Sequence, residues 1–181
     1  MRKQSIILAS AVALANAEEA RPQGLPHPDS GDRSGADARV QRVRLRTGVE
    51  LELVEAGPAD GMPVIFLHGY TDSWYSFSPV IDRLPRGIRA IAPSQRGHGG
   101  SDRPTCCYGF SALAADAIAL LDALGIEQAA VVGHSMGSFV AQRAAIDYPD
   151  RVSHLVLIGS GAAYDTEAVS GLFTDVVRTL Q

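Results

Sequence analysis

Residues 129–137 read Ala-Ala-Val-Val-Gly-His-Ser-Met-Gly. The first four suit a short buried strand, and the G-x-S-x-G run leads into a helical stretch that continues to about Asp147. Pro149 prevents that helix from running on. A sharp strand-to-helix turn forces Ser135 into an uncommon backbone conformation and lifts its hydroxyl clear of the sheet. Gly133 and Gly137 suit the turn because strand and helix approach closely there, leaving no room for a Cβ. A helix starting at Ser135 also points its positive end at any oxyanion that forms nearby. Taken alone the motif is a weak signal, and a glycine-rich turn that binds a phosphate or nothing is the alternative. The strand before them and the helix after them favour a nucleophile.

On either side of this turn, strands and helices alternate. Val40, Val43 and Leu45, then Val49, Leu51 and Leu53, alternate with polar residues around Thr47-Gly48, which predicts a hairpin of two half-buried strands. Residues 64–67 are wholly apolar, the pattern of a strand covered on both faces. A helix is predicted over 73–84 and a strand over 88–92. Ser111 is a fitting N-cap for a helix whose apolar positions are Leu113, Ala117, Leu120, Leu121 and Leu124, with Gly125 as its stop. Residues 152–158 form a further buried strand, and 166–180 the start of another helix. This alternation predicts an α/β fold with a mostly parallel, doubly wound sheet.

The N-terminus is different. Arg2 and Lys3 precede an apolar run from Ser5 to Leu14, and Ala15-Asn16-Ala17 supplies the small residues of a cleavage site. That order is the layout of a secretory signal over residues 1–17, and the run is too short to span a bilayer. The expected location is secreted or periplasmic, with no stable membrane insertion after cleavage. Residues 18–38 are rich in Pro, Gly, Asp and Ser and read as a flexible leader that includes His27. Residues 39–181 are expected to form the N-terminal part of a single folded domain. Loss of Arg2 and Lys3 with the signal takes the net charge from −4 to −6, which disfavours nucleic acid and anionic membranes as partners. Cys106 and Cys107 are adjacent. Their Cα atoms sit about 3.8 Å apart, closer than the usual disulfide range, so both a tight ring and two free or externally paired thiols are open. No Cys and His residues have the spacing of a zinc site, and neither metal nor cofactor is expected.

Three runs in order, HGYTDSW at 68–74, SQRGHGGSDRP at 94–104 and GHSMG at 133–137, resemble the α/β-hydrolase superfamily, most of all its esterase, epoxide-hydrolase and haloperoxidase-like members. The resemblance spans about residues 40–161. It implies that the backbone N–H groups of Tyr70 and Met136 form the oxyanion hole, with His68 and Gly69 shaping the loop that carries Tyr70. It also implies that His98 lies in a structural loop and that His134, inside the elbow, points away from the Ser135 hydroxyl. Many relatives carry Asp at the position of Ser94, so an internal polar contact differs here. Trp74 is a candidate for the substrate pocket, with plain packing as the alternative, and His154 is expected in the core or at a sheet edge.

Serine at the elbow, rather than aspartate, argues against the carboxylate-nucleophile chemistry of epoxide hydrolases. The activity implied is hydrolysis of an ester or related acyl bond in a small-molecule substrate, through a Ser135 acyl-enzyme. Serine-dependent haloperoxidases, carbon–carbon bond hydrolases and non-catalytic binding modules are the alternatives. A serine nucleophile needs a base and an acid, and the family order places both after later strands. Asp165 is a minority candidate for the acid. About six strands can be counted, so the chain is expected to be an incomplete and inactive form, with 152–158 left as an open apolar edge.

Overall fold

The computed structural model describes residues 5–9 and 39–161 of the 181. The leader, His27, Asp165 and the helix expected over 166–180 lie outside the described residues.

The apolar run before His68 is buried from both sides. It forms β4 (Met62–Leu67), in which Ile65 and Leu67 join one apolar cluster while Val64 and Phe66 join a second on the opposite face. Successive strand side chains point to opposite faces, so only a sheet covered twice can bury such a run. The other strands are β1 (Ser5–Ala9), β2 (Arg39–Arg44), β3 (Glu50–Ala56), β5 (Ile88–Pro93), β6 (Ala129–His134) and β7 (Val152–Ile158). They form one seven-stranded sheet in the order β1-β7-β6-β4-β5-β3-β2. β3 runs antiparallel to β2 and β5, and the remaining pairs are parallel. The sheet is therefore mostly parallel, as the alternation predicts.

The helices α2 (Phe110–Ala123) and α3 (Met136–Asp147) cover the face of the first cluster. Leu113, Ala117, Leu120 and Leu121 are buried there. Gly125, at φ +68, ends α2 in the left-handed region where glycine is favoured. The opposite face is covered by a 3₁₀ turn (Trp74–Phe77) running into the single α-turn α1 (Ser78–Ile81).

Several local expectations are corrected. The continuous helix over 73–84 is these two short pieces: Ser76 and Ser78 bond back to the Ser73 and Tyr75 carbonyls, and Pro79 offers no N–H to continue a ladder. The N-cap of α2 is Gly109, and Ser111 lies within its first turn. Val40 is out of phase with Val43 and Leu45, on the solvent side of β2, and is 57% exposed. β7 is only partly buried: Val152 and Leu157 are inside while His154 and Ile158 are exposed. Its outer edge is not open either, because β1 lies parallel along it with Ser5 opposite His154 and Ala9 opposite Ile158. An extended apolar segment supplies the backbone partners that such an edge lacks. Those residues belong to the stretch read as a signal.

Candidate active site

From β4 the chain crosses to β5 on one side, then back past β4 to β6 and on to β7. The strand order reverses between β4 and β6, and the crevice at the carboxyl ends of such strands is where open α/β sheets bind ligands. The HGY and GHSMG runs occupy those two ends.

Ser135 has φ 49° and ψ −116°, one of two non-glycine positive φ values among the described residues. Such a conformation persists only where its surroundings enforce it. Its N–H donates to the Ile158 carbonyl at 2.9 Å, which ties the turn to β7. Its carbonyl accepts from the Ser138 N–H at 2.9 Å and the Ser138 hydroxyl at 2.6 Å, which anchors the start of α3. A Cβ on Gly133 would lie 2.6 Å from the Ser138 Cα, and one on Gly137 would lie 2.8 Å from the His68 carbonyl oxygen and closer still to that of Leu67. Neither position admits a larger residue, because the obstacle is backbone.

The Gly69–Tyr70 arm faces this turn. A Cβ on Gly69 would stand 3.5 Å from the Ser135 Cβ and 3.3 Å from the His134 Nδ1, so the arm carrying Tyr70 passes directly beside Ser135. Met136 opens α3, where first-turn N–H groups have no intrahelical acceptor. Ser135, Gly69, Tyr70 and Met136 are thus brought to one place. No hydrogen bond reaches the Ser135 hydroxyl among the described residues. The exposed His134 ring lies beside Gly69 and near Gly159. His154 is four residues from Ile158 along β7, roughly 13 Å toward the opposite end of the sheet at strand spacing. It is too distant to serve as the base.

His68 is fully buried beneath the arm. Its Nε2 faces the Gln95 N–H at 2.9 Å and must accept, so Nδ1 carries the hydrogen and donates to the Gly69 carbonyl at 2.7 Å. Gln95 returns a second bond from its side-chain amide to the His68 carbonyl at 2.9 Å. Burial pushes the His68 pKa down from 6.5 to about 4, and neighbouring His98 acts in the same direction. The ring is a neutral strut.

Sequence reasoning did not single out Glu52. Its Oε1 accepts from the Trp74 indole N–H at 3.1 Å, the Ser94 hydroxyl at 3.3 Å and the Gly100 N–H at 3.2 Å. Ser94 thus shares the Glu52 carboxylate of β3 with Trp74 and Gly100. Trp74 is directed at Glu52 and packs against the second cluster. Arg96 lies in the 94–104 run that follows β5. It holds Asp116 on α2 through two bonds of 2.6 and 2.7 Å, both residues being buried, and Thr47 adds a third to Asp116 at 2.7 Å. The hydrogen bonds and charge of Asp116 raise the Arg96 pKa against the opposing effect of burial. No cluster of three metal-ligating side chains occurs among the described residues.

Ser135 therefore stands at positive φ on a strand-to-helix turn, with the glycine arm from the adjacent parallel strand beside it. The chain belongs to the alpha/beta hydrolase fold family, whose model matches residues 62–177. It is 40% identical over 119 residues to epoxide hydrolase A of Mycobacterium tuberculosis, covering 64% of this chain and 37% of that protein. It is 38% identical over 122 residues to a non-heme chloroperoxidase of Streptomyces lividans, covering 65% and 44%. The crystal structure of epoxide hydrolase A from Mycobacterium thermoresistibile superposes with a TM-score of 0.62 at 35% identity, over 75% of this chain and 44% of that one. The chain spans less than half the length of these relatives.

Proposed function

We propose that this protein is the nucleophile-bearing part of a serine hydrolase that cleaves an ester or related acyl bond of a small molecule through a Ser135 acyl-enzyme. The observation that carries this reading is the placement of Ser135: positive φ, glycines packed on both sides, and the Gly69–Tyr70 arm against its Cβ. In the reaction the hydroxyl attacks the acyl carbon, its proton passes to a base, and the tetrahedral oxygen takes hydrogen bonds from the Tyr70 and Met136 N–H groups. Loss of one such donor typically costs about 3 kcal/mol of barrier. Serine at the elbow supports acyl chemistry over the epoxide opening named for several relatives, because an alkyl-enzyme formed from a serine would be an ether that water does not hydrolyse readily.

A fluorophosphonate probe tests this on the full-length protein. Labelling at Ser135, abolished in Ser135→Ala, is the expected result. A folded protein that stays unlabelled at saturating probe would overturn the enzymatic reading in favour of a binding module on the same fold.

A further inference from the structure

Cys106 and Cys107 are bonded to each other across Cα atoms 3.8 Å apart, and both are exposed. Cys107 takes φ +73, a region that side-chain-bearing residues rarely adopt. Its carbonyl accepts from Arg96 Nη1 at 2.7 Å, while the rest of that guanidinium is committed to buried Asp116. The Tyr108 ring lies on Gly97, where an added Cβ would fall 2.7 Å from Cε1, and the Tyr108 hydroxyl closes the loop onto the Pro104 carbonyl at 2.6 Å.

The other side of this loop reaches the oxyanion arm. His98 Nδ1 lies 3.0 Å from the Arg96 carbonyl, and Nε2 contacts the Tyr70 carbonyl. A neutral ring donates to one of the two and an imidazolium to both. The His98 ring also stands edge-on to His68 and Tyr70, with centroids 5.0 and 6.1 Å apart. One short chain of contacts therefore runs from the cysteine pair through Arg96 and His98 to Tyr70.

We propose that Cys106–Cys107 is a thiol–disulfide exchange site, reducible by an external dithiol, that sets the position of the oxyanion arm. A thiolate of the dithiol attacks one cysteine sulfur, the S–S bond breaks, and the other cysteine leaves as a thiolate that takes up a proton. The dithiol's second thiol resolves the mixed disulfide, so the protein gains two hydrogens and the dithiol closes to its own disulfide. Without the bond Cys107 returns to ordinary negative φ, its carbonyl swings off Arg96, and the 96–109 loop no longer braces His98 against Tyr70. The accessible sulfurs and the unusual backbone at Cys107 carry this reading, and neither depends on what Ser135 does.

The experiment is mass spectrometry with hydrogen exchange on the full chain, before and after dithiothreitol. Iodoacetamide should leave the untreated native protein unmodified and add two groups at Cys106 and Cys107 after reduction. The amides of Asp72, Gly97, His98 and Ser101 are all hydrogen-bonded, and reduction should speed their exchange by about tenfold, the equivalent of one lost hydrogen bond. Residues 129–144 should not change. A Cys106→Ser, Cys107→Ser double variant should show the fast pattern with or without dithiothreitol. Alkylation of the untreated protein would overturn the proposal, as would unchanged exchange at Asp72 and His98. Loosening across the whole molecule would make the bond a general staple and refute the lever. A parallel slowing of Ser135 labelling is expected too; that readout alone rests on the serine-hydrolase reading.

Discussion

Ser135 and Cys107 share an unusual backbone sign and are held in it by opposite means. Around Ser135 the constraint is main chain and core: Gly133 against α3, Gly137 against the end of β4, and an N–H bonded to β7. Around Cys107 it is one covalent neighbour and one guanidinium, at an exposed loop. Geometry enforced by close-packed backbone cannot be released without unfolding the region, because no rotamer change makes room. Geometry enforced by a single accessible bond can be. A nucleophile requires the first kind of support, and a switch requires the second.

The contrast can be tested where the expected effects are largest. Gly137→Ala drives a methyl into the Leu67 and His68 carbonyls, and urea denaturation should show a loss of at least about 4 kcal/mol or no cooperative transition at all. A near-neutral result would mean that the elbow is loosely packed. The next effect comes from protonation under the arm. His68 has a pKa near 4 folded and 6.5 unfolded, so between those values the unfolded chain binds the extra proton. Stability is fully present above about pH 6.5 and falls as pH drops toward 4, by about 3 kcal/mol from this group at the limit. A His68→Gln variant should lose that part of the pH dependence; an unchanged acid limb would show that His68 is not the group responsible. Smallest is relief of strain: Ser135→Gly should abolish probe labelling yet stabilise the fold by about 1 kcal/mol. Destabilisation instead would show that strain at this φ is smaller than the entropy the added glycine gives the unfolded chain.

Much of the architecture was legible because it is periodic. The apolar run 64–67, the helical repeat through Leu113, Ala117 and Leu121, and the glycine spacing around Ser135 each express a local constraint, and the strand, the helix and the elbow follow from them. Errors arose where a local cue met a competing one. Ser111 resembles a cap, but the chain enters α2 one residue after Gly109. Glu52 alternates with Leu51 and Leu53 and so reads as facing water, yet that face of β3 is covered by the Trp74–Phe77 turn, and its carboxylate gathers Trp74, Ser94 and Gly100. Asp116, in a helix of apolar residues, carried a signal that went unused: a buried charge demands a partner, and Arg96 is it.

The order of residues was enough to place Ser135 on a tight strand-to-helix turn, since such turns are built from a few adjacent side chains and their missing Cβ atoms. Where the Gly69 arm stands against Ser135, and which loops Glu52, Arg96 and His98 join, was settled by folding. Those partners are tens of residues apart along the chain, and the crossovers of the sheet bring them within bonding distance.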